Sequence, residues 1–159
     1  MLEDMLANMD DGFLIRQSTA IGSDSIGYID EARSFLTVRA RPVFIFLTFI
    51  NSVLNEAGVM GCLVMVTMLR RQQQSTTDSN WLEDILPRLD HDTCIRYAGE
   101  IGQDLKMFSE SVRQLIDNRA GAFKAVLSCM TQVFGDEFLV GALVMLEMIR
   151  RAEAMKVNT

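Results

Sequence analysis

The chain has 159 residues, enough for one ordinary domain or two very small ones. With 49% hydrophobic and 23% charged residues it has the make-up of a globular protein with a substantial core, not of a disordered segment. A net charge of −6 excludes nucleic acid and an anionic membrane surface as main partners, because both need a basic face.

The first predicted element is a short amphipathic helix from Leu2 to about Met9, with Glu3 and Asp4 in its first turn, where the helix dipole favours acids. This acidic beginning lacks the basic n-region of a signal peptide, so an intracellular, cytoplasmic protein is expected. Next, Leu14, Ser18, Ile21, Ser25, Tyr28, Ala32 and Phe35 step by alternating four and three. That spacing predicts one helix of six or seven turns with a single apolar stripe. Pro42 suits the first turn of a third helix, VFIFLTFINSVL, which the breakers Asn55 and Gly58 close. The fourth, GCLVMVTMLRR over residues 61–71, is apolar on almost every face until its arginines and belongs in the middle of a core. The polar run RRQQQSTTDSNW reads as a joint.

Beyond the joint the chain repeats itself. Sliding it by 80 positions without a gap gives 22 identities over 79 pairs, where chance gives roughly 5. GCLVMVTMLRR falls on GALVMLEMIRR at 141–151, and Leu2-Glu3-Asp4 on Leu82-Glu83-Asp84. The second stripe is Cys94, Ala98, Ile101, Leu105, Phe108, Val112 and Leu115; Gly135 ends the next segment, and Asp136 can cap the last helix. The expected fold is therefore all-α: a tandem duplication of a unit of about 80 residues with three to four helices. Residues 1–76 and 77–159 are the two repeats, sharing one core as a pseudo-two-fold bundle whose apolar last helices are central. Residues 154–159 read as a frayed tail. Val43 to Leu69 is long enough to cross a membrane, with Glu56 its only charge. Its counterpart carries Lys124, Asp136, Glu137 and Glu147, and two halves of one fold share one solvent, so no membrane span is expected.

Cys62, Cys94 and Cys129 are odd in number and sit among apolar residues, which predicts buried free thiols in a reducing compartment. His91 is the lone imidazole and no metal-ligand spacing occurs, so no metal, cofactor or catalytic residue is expected. Gly61 and Gly141 begin the last helices, as sites of close backbone approach or as helix-end punctuation. Leu63, Met65, Leu143 and Met145 are candidate core residues around them. Arg70, Arg71, Arg150 and Arg151 could grip an acidic partner; as basic residues ending a helix, they could equally stabilise its dipole. Arg16 and Arg96 with Asp24 and Asp104 read as inter-helix ion pairs.

Two local resemblances bear on function. Ile21-Gly22-Ser23-Asp24-Ser25-Ile26 resembles the Gly-x-Asp-Ser-Leu/Ile motif of acyl carrier proteins, which implies a phosphopantetheine arm on Ser25. FLTFINSVLNEAGVMGCLVMVTMLRR looks like the first two helices of a cyclin box, over about 26 residues per repeat, which implies a kinase partner. The reading carried forward is a non-enzymatic interaction or assembly module that binds another protein, as an amphipathic helix laid in a groove. A cyclin-like regulatory subunit and a carrier modified at Ser25 are the alternatives.

Overall fold

The computed structural model describes residues 1–76, 80–119 and 121–157. Among them the chain is all α, with nine helices, one 3-10 turn and no strand. Helices α1 (Leu2–Ala7), α2 (Asp11–Ser23), α3 (Ser25–Arg39) and α4 (Val43–Thr76) come first. Then follow α5 (Trp81–Ile85) with a 3-10 turn at Leu86–Arg88, α6 (His91–Gln103), α7 (Leu105–Arg119), α8 (Gly121–Phe134) and α9 (Asp136–Val157).

The stripe expected to mark one long helix is carried by two. α2 ends at Ser23 and α3 starts at Ser25, with Asp24 between them in a non-helical conformation. The Asp24 carboxylate accepts the Gly27 N–H at 2.9 Å, and Asp104 accepts the Met107 N–H at 3.0 Å between α6 and α7. Asp10 and Asp90 do the same for Phe13 and Thr93, at 2.8 Å each. Each side chain satisfies one of the donors a helix start leaves without a partner. Thr93 donates to Asp90 strongly enough to hold that carboxyl below its ordinary value. Asp24 and Asp104 are thus helix caps, and the ion pairs expected for them with Arg16 and Arg96 are not among those of the described residues.

Further on, Asn55 takes φ 64° and ψ −173° and divides α4 into limbs 43–54 and 56–76. Gly135 has φ 97° between α8 and α9. Counted by backbone breaks, each stretch of about 80 residues holds five segments, not three to four. Gly58, read as a breaker, lies inside the second limb of α4.

Every residue at 61–69 and at 141–149 is buried. α4 and α9 share the most extensive contact in the fold. α2 is packed on α8 and α6 on α4, so helices from early and late in the chain cover one another. The joint is more ordered than its polar composition suggests: α4 runs on to Thr76, and Gln72 and Gln73 are buried. Gln73 accepts the Leu82 N–H at 2.7 Å and donates to Glu83 at 2.9 Å, tying α4 to the start of α5. Residues 77–79 of that joint, and 158–159 of the expected tail, lie outside the described residues, while α9 stays helical to Val157. Cys62 and Cys94 are buried, but Cys129 is exposed on α8, contrary to the reading of three buried thiols. An α-helix shows only one face to its neighbours, and Cys129 falls between the buried Val126, Leu127 and Met130.

Candidate functional site

Residues 43–75, the two limbs of α4 taken together, are long and apolar enough to cross a membrane by length and composition, yet only 33% of their most apolar stretch is buried. Part of that uncovered apolar surface opens into a groove of about 540 Å³. The break at Asp24 lets α3 set out with Ile26 and Ile29 facing the groove. The positive φ at Asn55 turns the two limbs of α4 apart, so Phe44 and Leu47 line it from one limb, Val59 and Met60 from the other. Ile26 is 73% exposed, and Phe44, Val59 and Met60 beside it are half-buried, so the lining keeps apolar surface open to water. Asp30, Arg33 and Glu56 stand in the same lining. None of these three charged side chains has an ion-pair or hydrogen-bond partner among the described residues.

The residues expected to be functional lie elsewhere. Gly61 and Gly141 sit five residues inside their helical limbs, where α4 crosses α9. A Cβ on Gly61 would come 2.0 Å from the Phe138 carbonyl oxygen, and one on Gly141 would come 2.0 Å from that of Gly58. Nothing but glycine fits there, and Cys62 Sγ donates to the Gly141 carbonyl at 3.1 Å across the same crossing. Leu63, Met65, Leu143 and Met145 surround it, none more than 2% exposed.

The four arginines are not at helix ends, since α4 and α9 continue past them. Each is occupied within the molecule. Arg71 donates to both Glu31 oxygens at 3.2 Å and to Gln17 at 3.2 Å, with its guanidinium over the Tyr28 ring. The Glu31 carboxylate raises the Arg71 pKa further, so its charge is permanent. Tyr28 donates to Gln17 at 2.9 Å, and burial pushes its hydroxyl above the ordinary tyrosine range. Arg70 lies over Phe35 and 3.8 Å from Glu31. Arg151 pairs with Glu100 and covers Phe108, and Arg150 meets the buried Glu147 at 2.8 Å. Glu147 also accepts from Ser111, so this carboxylate inside the core has two partners. Sequence reading passed over Glu147 as a site, although an acid in an otherwise apolar helix is itself a signal.

Ser25 is the first residue of α3 and half-buried at one end of the groove. His91 is the exposed first residue of α6, beside its capping Asp90. Among the described residues no three His, Cys, Asp or Glu side chains come together as a metal ion would need. A second, smaller cavity of about 270 Å³ is rimmed by Glu100 and Arg151, which already satisfy each other.

The groove was legible in one respect that sequence reading missed. Eighty positions on from the lining, the sequence differs in kind: Lys106 stands 80 residues after Ile26, Ser109 after Ile29 and Lys124 after Phe44. Lys124 pairs with Asp117 at 2.9 Å. One face is apolar where the other is salted. Comparison with protein-family models, with curated protein sequences and with solved structures finds no match to this chain.

Proposed function

We propose that the chain is a non-enzymatic protein-interaction module, built from two fused repeats, whose groove between α3 and α4 receives the apolar face of a partner helix. The observation that carries this reading is the uncovered apolar lining around Ile26 and Phe44. Apolar surface left to water in a chain that otherwise buries its core residues costs about 25 cal/mol per Å², and a partner helix recovers that cost. Helices dock in such grooves by side chains at i, i+3, i+4 and i+7.

The duplication supplies the scaffold in this proposal. Its support is the internal sequence match together with helices whose limits recur 80 residues on, α2 with α6 and α3 with α7. A pseudo-two-fold axis between the repeats is supported by reciprocal contacts of the kind such an axis generates. Gly61 abuts residue 138 while Gly141 abuts residue 58, each pair being the other shifted by 80. Likewise Gln73 accepts from Leu82 N at 2.7 Å, and Glu153 from Leu2 N at 3.4 Å. On this scaffold the four arginines have a structural role, and recognition belongs to the first repeat's groove.

A photo-activatable cross-linking residue placed at position 26, or at position 106, tests the reading in cells that express the chain. We expect a discrete protein adduct from position 26 that disappears with Phe44→Lys, and none from position 106. Equal adducts from both positions, or persistence of the adduct with Phe44→Lys, would refute it.

A further inference from the structure

Resting on that reading, we infer that the groove's occupant is an amphipathic helix with cationic flanks, whose Lys or Arg side chains meet Asp30 and Glu56. Both carboxylates border the apolar floor, both are exposed, and neither has a partner within the molecule among the described residues. Arg33 leaves the rim with a net charge of −1, on a chain of net charge −6. An anionic or neutral helix would leave Asp30 and Glu56 beside apolar surface with their water removed and nothing in its place, which is costly. Cationic flanks replace that water with charge-assisted hydrogen bonds. The same signs recur at Glu110, Arg113 and Asp136, but there the floor carries Lys106 and Lys124, so the charges alone do not make a site.

A lipid bilayer is the other apolar occupant to weigh. Glu56 lies within the uncovered helix, and Asp30 and Arg33 border the same apolar floor. Sinking that face into hydrocarbon would take three charges with it. A helix with its own charges fits the rim better.

Three labelled 18-residue helical peptides with the same leucine face, and Lys, Gln or Glu on the other faces, are titrated by fluorescence anisotropy into the full chain. The Lys peptide should bind on the order of fivefold more tightly than the Gln peptide, from two surface charge pairs. Asp30→Asn with Glu56→Gln should erase that preference. Glu110→Gln with Asp136→Asn changes the net charge equally and should leave it intact. The inference is overturned if Lys and Gln peptides bind alike, or if the preference survives Asp30→Asn with Glu56→Gln.

Failure of the groove itself has a separate signature. Ile26→Lys with Phe44→Lys, the residues of the matching face, should weaken all three peptides; unchanged binding of all three refutes the groove and not merely its charge preference. Binding of the chain to phosphatidylcholine vesicles that is lost with Ile26→Lys and Phe44→Lys would replace the helix with a membrane and overturn the inference.

Discussion

Replacing Gly61 with alanine adds one methyl group at the α4–α9 crossing, and the structure fixes what that methyl meets. Its carbon would stand 2.0 Å from the Phe138 carbonyl oxygen and 2.9 Å from the Ala142 nitrogen. Side-chain carbons essentially never approach such atoms more closely than 3.0 Å, so the helices must separate by 3.0 − 2.0 = 1.0 Å. The obstacle is backbone, so no rotamer change relieves it. Separation by about 1 Å forfeits a quarter to a half of each dispersion contact along the crossing. Overpacking costs about 1–3 kcal/mol, the upper end applying here because the obstacle is backbone, and alanine's better helix propensity returns about 1 kcal/mol. A net loss of about 2 kcal/mol lowers the melting temperature by about 4–8 °C in a chain of this length.

Gly99 is the control. It lies inside α6 with no atom within 4 Å of an added Cβ. Gly99→Ala should therefore stabilise by about 0.5–1 kcal/mol, the same chemical change with the opposite sign. Gly141→Ala should resemble Gly61→Ala. The double variant should cost less than the sum, because the crossing opens only once. The assay is thermal and urea unfolding followed by circular dichroism. If Gly61→Ala and Gly141→Ala match or exceed the unmodified chain while Gly99→Ala stabilises it, the close crossing is wrong.

Leu63 and Leu143 are 0% and 2% exposed, and alanine at either position should cost about 2–5 kcal/mol in the same unfolding assay; a loss under 1 kcal/mol at both would remove those side chains from the core. A thiol reagent should label Cys129 at once and Cys62 and Cys94 only in denaturant, so rapid labelling of more than one thiol in the native chain contradicts the fold. Burial pushes the Cys94 thiol up to about 11 from an ordinary 9.0, and Cys62 and Tyr28 shift the same way. A raised folded pKa contributes stability that is complete below the unfolded value and lost as pH rises through the folded one. The urea midpoint should accordingly fall between pH 9 and 11, less steeply with Cys94→Ala, and a flat profile would count against these buried groups.

How much of this was readable in the sequence depends on which force set each feature. Burial of Leu63 to Met65 and Leu143 to Met145 follows from helices that are apolar on every side, so their place in the core was legible. The division at Asp24 was not read, because an apolar stripe records which residues face the core and not whether the backbone between them is continuous. Ile21 and Tyr28 are both buried although separate helices carry them. Gly22-Ser23-Asp24 did announce a break, as turn-forming residues ahead of a cap. The arginines were misplaced for a related reason: Gln72 and Gln73 looked like a loop, yet both are buried in the continuing helix and the Gln73 amide ties α4 to α5. The groove needed three-dimensional information, namely that Asn55 turns the limbs of α4 apart and leaves Phe44 uncovered on one side.

The arrangement of helices makes a final prediction about the halves themselves. α2 is packed against α8, and α6 against the first limb of α4, where a Cβ on Gly102 would lie 3.2 Å from the Phe49 ring. This exchange of contacts by α2 and α6 ties residues 1–76 to residues 77–159. Cut between 76 and 77, each fragment would expose the faces at 61–69 or 141–149, which are buried throughout in the intact chain. Surface of that kind drives association or collapse, not independent folding. Expressed alone, residues 1–76 and 77–159 should each be poorly helical or self-associated, and mixed in equal amounts they should recover helicity and elute as a one-to-one complex. A monodisperse monomer with a cooperative melt from either fragment would show that its core closes by itself. The exchange of α2 and α6 would then not be what holds the molecule together.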